Sequence, residues 1–213
     1  VRRSFIATGG TVLATKLALN YGIACNTAGG SHHATSNEGA GFCVFNDVAV
    51  AAKYLTTRGL ANRILIIDLD VHQGNGNSEI FKNDNQVFTF SMHAKVNYPA
   101  KKSISDLDIE LDENLEDREY IDILKNNLKY LNEEEFDFVF YIAGVDIHYN
   151  DRLGKLNISD NGIFERDELV IDNFFSNKIP ICGVLGGGYN EDFNKLVELL
   201  SLIHISEPTR HES

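Results

Sequence analysis

The 213-residue chain has no run approaching the roughly 20 consecutive apolar residues that a membrane span requires. It also lacks a signal-peptide pattern, an internal repeat and a low-complexity linker, so a single domain accounts for it. Its three cysteines, Cys25, Cys43 and Cys182, lie far apart in apolar settings and form no CxxC pair. They read as buried thiols of a reducing compartment, cytoplasmic in general and nuclear if the source is eukaryotic. Positive charge is scarce: 19 Lys and Arg against 31 Asp and Glu leave a formal net charge of −12. That balance argues against non-specific binding to nucleic acid, and it leaves room for a cationic partner such as a lysine-rich tail. A hydrophobic fraction of 43% is enough to bury a core.

Natural punctuation is missing at both ends. The chain opens Val1-Arg2-Arg3, without an initiator Met and close to a helix. Leu200 to Arg210 reads LSLIHISEPTR, one reading frame of a transposon adapter used in sequencing libraries. The expectation is a catalytic domain over 1–199, truncated at both ends, followed by a non-native tail over 200–213. His204 and His211 are accordingly set aside as ligand candidates.

What remains is an alternation of helices with short apolar strands. Helical spacing covers Thr11 to Tyr21 and Asn46 to Thr57, and polar helices are expected at Asp117 to Leu131, Glu165 to Phe175 and after Asn190. Strands are expected at Ile23 to Cys25, Ile64 to Ile67, Val87 to Phe90, Phe138 to Ile142 and Ile179 to Leu185. The pattern implies an α/β domain with an open, mainly parallel sheet and helices on both faces. In such sheets ligands bind beyond the carboxyl ends of the strands. There the polar chemistry gathers: His32 and His33, Asp68 to His72, Asp146, and Gly186 to Tyr189.

Each cluster has its own chemical logic. On an extended segment side chains alternate faces, so Asp68, Asp70 and His72 should point the same way. With Asp146 from another strand end, two carboxylates and an imidazole suit a catalytic Zn²⁺ with one open position, and Fe²⁺ or Co²⁺ could substitute. The DxDxH run alone fits a helix cap equally well. His32-His33 follows two glycines, which let backbone approach a site closely, and a neutral imidazole there could take a proton from water. Gly186-Gly187-Gly188-Tyr189 lacks both the Lys-Ser/Thr of a P-loop and the GxGxxG spacing. Its glycines instead leave Tyr189 free to swing over a pocket and donate to a developing oxyanion.

In this order the four clusters resemble the zinc-dependent histone deacetylase superfamily, with its arginase/deacetylase fold, from about Thr8 to Leu199. Gly39-Ala40-Gly41-Phe42-Cys43 with Asn46-Asp47 is similar to the family's GFC…ND segment. Asp68-Leu69-Asp70-Val71-His72-Gln73-Gly74-Asn75-Gly76 is most similar to the class IV branch, as are Asp151-Arg152-Leu153-Gly154 and Arg166-Asp167-Glu168-Leu169-Val170. The resemblance implies a deacylase that removes acetyl or longer acyl groups from lysine side chains of proteins, or from a small acylated amine such as an acetylpolyamine. It implies Zn²⁺ on Asp70, His72 and Asp146, and His33 as general base beside His32, with Asp68 and Asn75 orienting them. Tyr189 would serve the oxyanion, and Gly41, Phe42, Tyr98, Gly187 and Gly188 the substrate. A K⁺ site would involve Asp68, Asp70, His72, Ser91 and Met92. Many relatives carry Asp where this chain has Asn75, which makes that orienting group neutral here.

Two rivals stay open at this point, an arginase-type two-manganese amidino-hydrolase and a non-catalytic acyl-lysine binder. Counting metals addresses the first and a turnover assay the second. Oligomeric state is not legible.

Overall fold

The computed structural model describes the backbone of residues 1–205, with side chains through Ile203. The described residues form six helices and six strands, α1 (Arg2–Tyr21), β1 (Ile23–Asn26), α2 (Asp47–Thr57), β2 (Ile64–Asp68), α3 (Asn75–Phe81), β3 (Val87–Ala94), β4 (Leu107–Leu111), α4 (Asp117–Leu131), β5 (Phe138–Ile142), α5 (Asp160–Ser176), β6 (Ile181–Val184) and α6 (Phe193–Ile205), which alternate except where β4 follows β3. All the strands pair in parallel, in the order β1-β6-β5-β2-β3-β4. Strand periodicity sorts the central residues between two cores. Leu65, Ile67, Val139 and Tyr141 face one, and Ile64, Ile66, Phe138, Phe140 and Ile142 face the other. The first core is closed by α4, α5 and α6, the second by α1 and α2. This is the open parallel sheet, covered on both faces, that the alternation implied.

Local signals place the helices. Tyr120, Ile121, Leu124, Leu128 and Leu131 form the buried stripe of α4 at three- and four-residue spacing, so its bounds match those expected. The Asn46 side chain caps α2 by accepting the Ala49 N–H at 2.9 Å. Helix α5 begins five residues before the expected Glu165, because Ser159 accepts from the Gly162 N–H at 3.2 Å. Two elements are additional. Helix α3 spans only seven residues, too few for a periodic stripe, and β4 is a half-buried edge strand. Helix α6 runs across the expected boundary at Leu200, and Ile203 is buried. The expected tail beyond Ile205, with His211 and the side chain of His204, lies outside the described residues.

The chain runs outward from β2 through β3 to β4 on one side, and from β5 to β6 on the other. The strand order therefore reverses between neighbouring β2 and β5, and the loops leaving their carboxyl ends open a crevice there. Among the described residues no helix is long and apolar enough to cross a membrane.

Candidate metal centre and catalytic pocket

Strand β2 ends at Asp68, so Asp70 and His72 lie on the loop beyond it and not on an extended strand. They nonetheless share a side, because Leu69 and Val71 between them are buried in the core beneath. Asp146 arrives on the loop after β5, and its Oδ1 accepts the Val71 N–H at 2.9 Å, which ties the two loops together. His72 Nδ1 lies 3.0 Å from Asp70 Oδ1 and 3.1 Å from Asp146 Oδ2. One ligand atom from each of the three residues falls within 4.8 Å of the others. Asp70 is 1% exposed and Asp146 0%, so two buried carboxylates share one imidazole. Buried anions require a compensating cation, and this donor set, one nitrogen and carboxylate oxygens, fits a divalent metal.

The electrostatics agree. Burial opposes a charge on His72, but hydrogen bonds to Asp146 and Asp70 outweigh it and raise its pKa to about 10. A proton on Nδ1 thus sits where a metal held by the same three atoms would replace it. Burial, followed by the Asp70 charge, pushes Asp146 up to about 7. Asp70 itself is lowered: burial works against its charge, and the His32 charge and the His72 hydrogen bond prevail.

Two adjacent imidazoles stand over this floor, with ring centroids 4.0 Å apart. His32 Nδ1 is 2.7 Å from Asp68 Oδ2. His33 Nδ1 is 2.7 Å from Asn75 Oδ1. Because that amide oxygen can only accept, it holds the proton on His33 Nδ1 and leaves Nε2 with its lone pair. Burial opposes a charge on His32, yet the charges of Asp68 and Asp70 raise its pKa to about 9. His33 is lowered to about 3, first by burial and then by the charge on His32. At neutral pH one ring is a fixed cation and its neighbour a free base.

Above them a cavity of about 370 Å³ is lined by His33, Gly41, Phe42, His72, Asn97, Tyr98, Leu153 and Tyr189. Gly41 has φ +51°, and a Cβ there would run into the His33 ring, so only glycine fits. The Tyr98 ring stands edge-on to His33 at 4.8 Å between centroids. Phe42 is 88% exposed at the mouth, its ring 6.2 Å from that of Tyr189. The Tyr189 ring also lies 6.2 Å from His72. Burial, then the Asp70 charge, raises the Tyr189 pKa, so its hydroxyl keeps the proton a donor needs.

Gly187 and Gly188, expected beside the substrate, adjoin the metal-bearing loops and the core. The Gly187 N–H donates to Asp70 Oδ2 at 2.6 Å, and a Cβ there would strike the carboxylates of Asp146 and Asp70. Gly188 packs against Val145 and Leu196. Their small size leaves room for the carboxylates of Asp70 and Asp146 and for the core side chains. Of the cysteines, only Cys182 is fully buried; Cys25 and Cys43 are half-buried. Ser91, a register partner of Asp68, is buried together with Met92 on β3.

Other supporting residues carried no role in the sequence reading. Asp47 accepts the N–H groups of Gly30 at 3.1 Å and Ser31 at 2.7 Å, just before the histidine pair. Asn46 donates to the Ala34 carbonyl at 3.1 Å, just after the pair. Asp151 accepts the Tyr189 N–H at 2.6 Å and, through its other oxygen, those of Leu153 and Gly154 at 2.9 Å. The available signal was their position in the Asn46-Asp47 and Asp151-Arg152-Leu153-Gly154 motifs. Leu153, which lines the cavity, shares the second of these motifs, whereas Asn97 left no signal.

A histone deacetylase domain family model matches residues 1–200. The chain is 50% identical over 205 residues to an uncharacterized protein of Picosynechococcus sp., covering 96% of this chain and 68% of that protein. It is 37% identical over 194 residues to histone deacetylase 2 of Arabidopsis thaliana, covering 89% of this chain but 50% of that protein. A crystal structure of a histone deacetylase homolog complexed with SAHA superposes with a TM-score of 0.84 at 30% identity, over 95% of this chain and 57% of that one. The chain thus spans about half the length of the Arabidopsis protein.

Proposed function

Because this chain belongs to the histone deacetylase family, we propose that it is the catalytic part of a metal-dependent hydrolase acting on acylated lysine side chains of proteins. The observation that carries this reading is the convergence of Asp70, His72 and Asp146 at the floor of the cavity lined by His33 and Tyr189. We take residues 1–199 as the catalytic domain, Zn²⁺ as the bound ion, and K⁺ as the companion of Asp68, Asp70, His72, Ser91 and Met92.

Asp70, His72 and Asp146 would hold the Zn²⁺. A bound divalent ion supplies Lewis acidity toward a carbonyl and acidifies water at neutral pH. The remaining work falls to the protein. His33 Nε2 takes the proton of the attacking water, and Asn75 keeps the ring in the tautomer that allows it. His32, charged through Asp68, stabilises negative charge developing beside it while discouraging a second cation on His33. The Tyr189 hydroxyl donates to the oxygen that becomes negative as the carbonyl is attacked. His33 then returns its proton to the departing amine. Phe42 and Tyr98 flank an aliphatic lysine stem, and an acidic chain, net charge −12, attracts a basic polypeptide.

The test is turnover by the full-length protein on peptides carrying an acyl-length series on lysine, with N-acetylspermidine as a small-amine arm. Activity on acyl-lysine that vanishes with a chelator and returns with Zn²⁺ is expected. Activity on the small amine alone would replace the substrate class. Loss of no activity on complete metal removal would end the metal reading.

A further inference from the structure

Arg166 projects from the middle of α5 and is 0% exposed, the largest of the fully buried side chains. Its Nη1 donates to the Gly144 carbonyl at 2.5 Å and reaches the Leu69 carbonyl at 3.4 Å, and its Nη2 reaches the Ala143 carbonyl at 3.5 Å. None of these carbonyls lies within a strand: Leu69 follows β2, and Ala143 and Gly144 follow β5. They are the backbone turns on which the ligands ride. Leu69 adjoins Asp70, and Gly144 lies two residues before Asp146. The guanidinium therefore spans the β2–β5 reversal from beneath, touching both metal-bearing loops.

Its own position is fixed. Asp167 Oδ1 accepts from Arg166 Nε at 2.8 Å, and from the Tyr141 hydroxyl at 2.5 Å. Asp167 is itself 1% exposed. A buried ion pair of this kind is no argument for stability, since an apolar trio of equal volume often does as well. What an apolar substitute cannot do is offer several planar donors to carbonyls on two separate loops. Lysine cannot match that fork either, having a single point of charge.

We propose that Arg166 is a positioning residue for the metal centre: it fixes the separation of Asp70 and Asp146 through the Leu69, Ala143 and Gly144 carbonyls. This rests on the reading that Asp70, His72 and Asp146 hold a divalent ion. Outer residues that orient metal ligands govern affinity and geometry more than they govern folding. A plain helix-to-sheet pin would affect melting alone.

The experiment compares the parent full-length protein with Arg166→Lys and Tyr141→Phe. Zn²⁺ affinity is measured by chelator competition, coordination geometry by the absorption spectrum of the Co²⁺ form, and packing by melting without metal. Arg166→Lys should weaken Zn²⁺ binding about 10–100-fold and alter the Co²⁺ spectrum. Tyr141→Phe removes a hydrogen bond to Asp167 but leaves the fork on its carbonyls, so it should lower melting with affinity and spectrum unchanged. If Arg166→Lys proves insoluble, Asp167→Asn loosens the guanidinium while retaining it, and should shift affinity and spectrum in the same direction by less. Parent-like Zn²⁺ affinity and Co²⁺ spectrum in Arg166→Lys, or in Asp167→Asn where that serves, overturn the proposal. A parent protein that binds no divalent ion, or binds one indifferent to Asp70→Ala, overturns the metal reading first and this inference with it.

Discussion

His32 and His33 are consecutive in the chain and within van der Waals reach of one another, yet their chemistry is opposite. His32 is held charged, with a pKa near 9, and His33 neutral, with a pKa near 3. Burial lowers both, so burial does not separate them. The difference comes from the partner on Nδ1, the carboxylate of Asp68 in one case and the amide of Asn75 in the other. Once His32 is charged it also suppresses the protonation of its neighbour. Two identical side chains thus become a fixed cation and a free base because the oxygen across one hydrogen bond belongs to a carboxylate and across the other to an amide. The same contrast divides the site into an ionic floor and a neutral wall.

The comparison can be broken most severely from the floor. Asp70→Ala or Asp146→Ala leaves two ligands and an unbalanced buried charge, and should remove bound Zn²⁺ and turnover together. The loss should exceed the roughly 100-fold that an outer residue costs. Metal analysis beside an activity assay checks it, and full zinc with full turnover in either variant would refute the ligand assignment.

The wall is tested next. Tyr189→Phe deletes a donor to the developing oxyanion and should lower kcat by about 10²–10³-fold with little change in KM. A variant with parental kcat would remove Tyr189 from the reaction.

Asp68→Asn should erase the contrast between the two rings. With the carboxylate gone, burial dominates, and His32 should fall from about 9 to below the usual 6.5, neutral at pH 7. Imidazole NMR titration of the metal-loaded protein reads this directly, and kcat should drop about 10–100-fold. An unshifted His32 resonance would show that Asp70 alone sustains its charge.

The smallest change narrows the contrast from the other side. Asn75→Asp places a carboxylate on His33, which favours the imidazolium and raises its pKa. The base must be unprotonated to work, so the acidic limb of kcat/KM should move upward, by something on the order of one unit. Profiles are recorded with Zn²⁺ saturating, so that metal loss at low pH is not read as base protonation. A downward or unchanged limb would mean that His33 is not the group titrating there.

Much of this was legible before any coordinates. The runs Ile64 to Ile67 and Phe138–Ile142 are unbroken and apolar, and a buried parallel strand permits little else. Helix α4 announces itself through a stripe that only a 3.6-residue period lines up. By contrast α3 is too short to carry a stripe, and β4, with Asp108 and Glu110 among its five residues, lacks a buried run. The residues of the site were visible as types at strand ends, and alternation along 68–72 gave the right shared side although the strand stops at Asp68.

The sequence by itself determined the element types, the polar clusters at the strand ends and their order, because these depend on near neighbours and on which side chains resist burial. Only the tertiary structure decided which carboxylate meets which imidazole, and that the Gly187 N–H meets Asp70. The same holds for Asp47 gripping Gly30 and Ser31 from another element. Those contacts join residues far apart in the chain, and their energies exist only once the sheet has brought the loops together. A hydrogen bond across 117 residues, from the Gly187 N–H to Asp70, leaves no trace in the residues on either side of it.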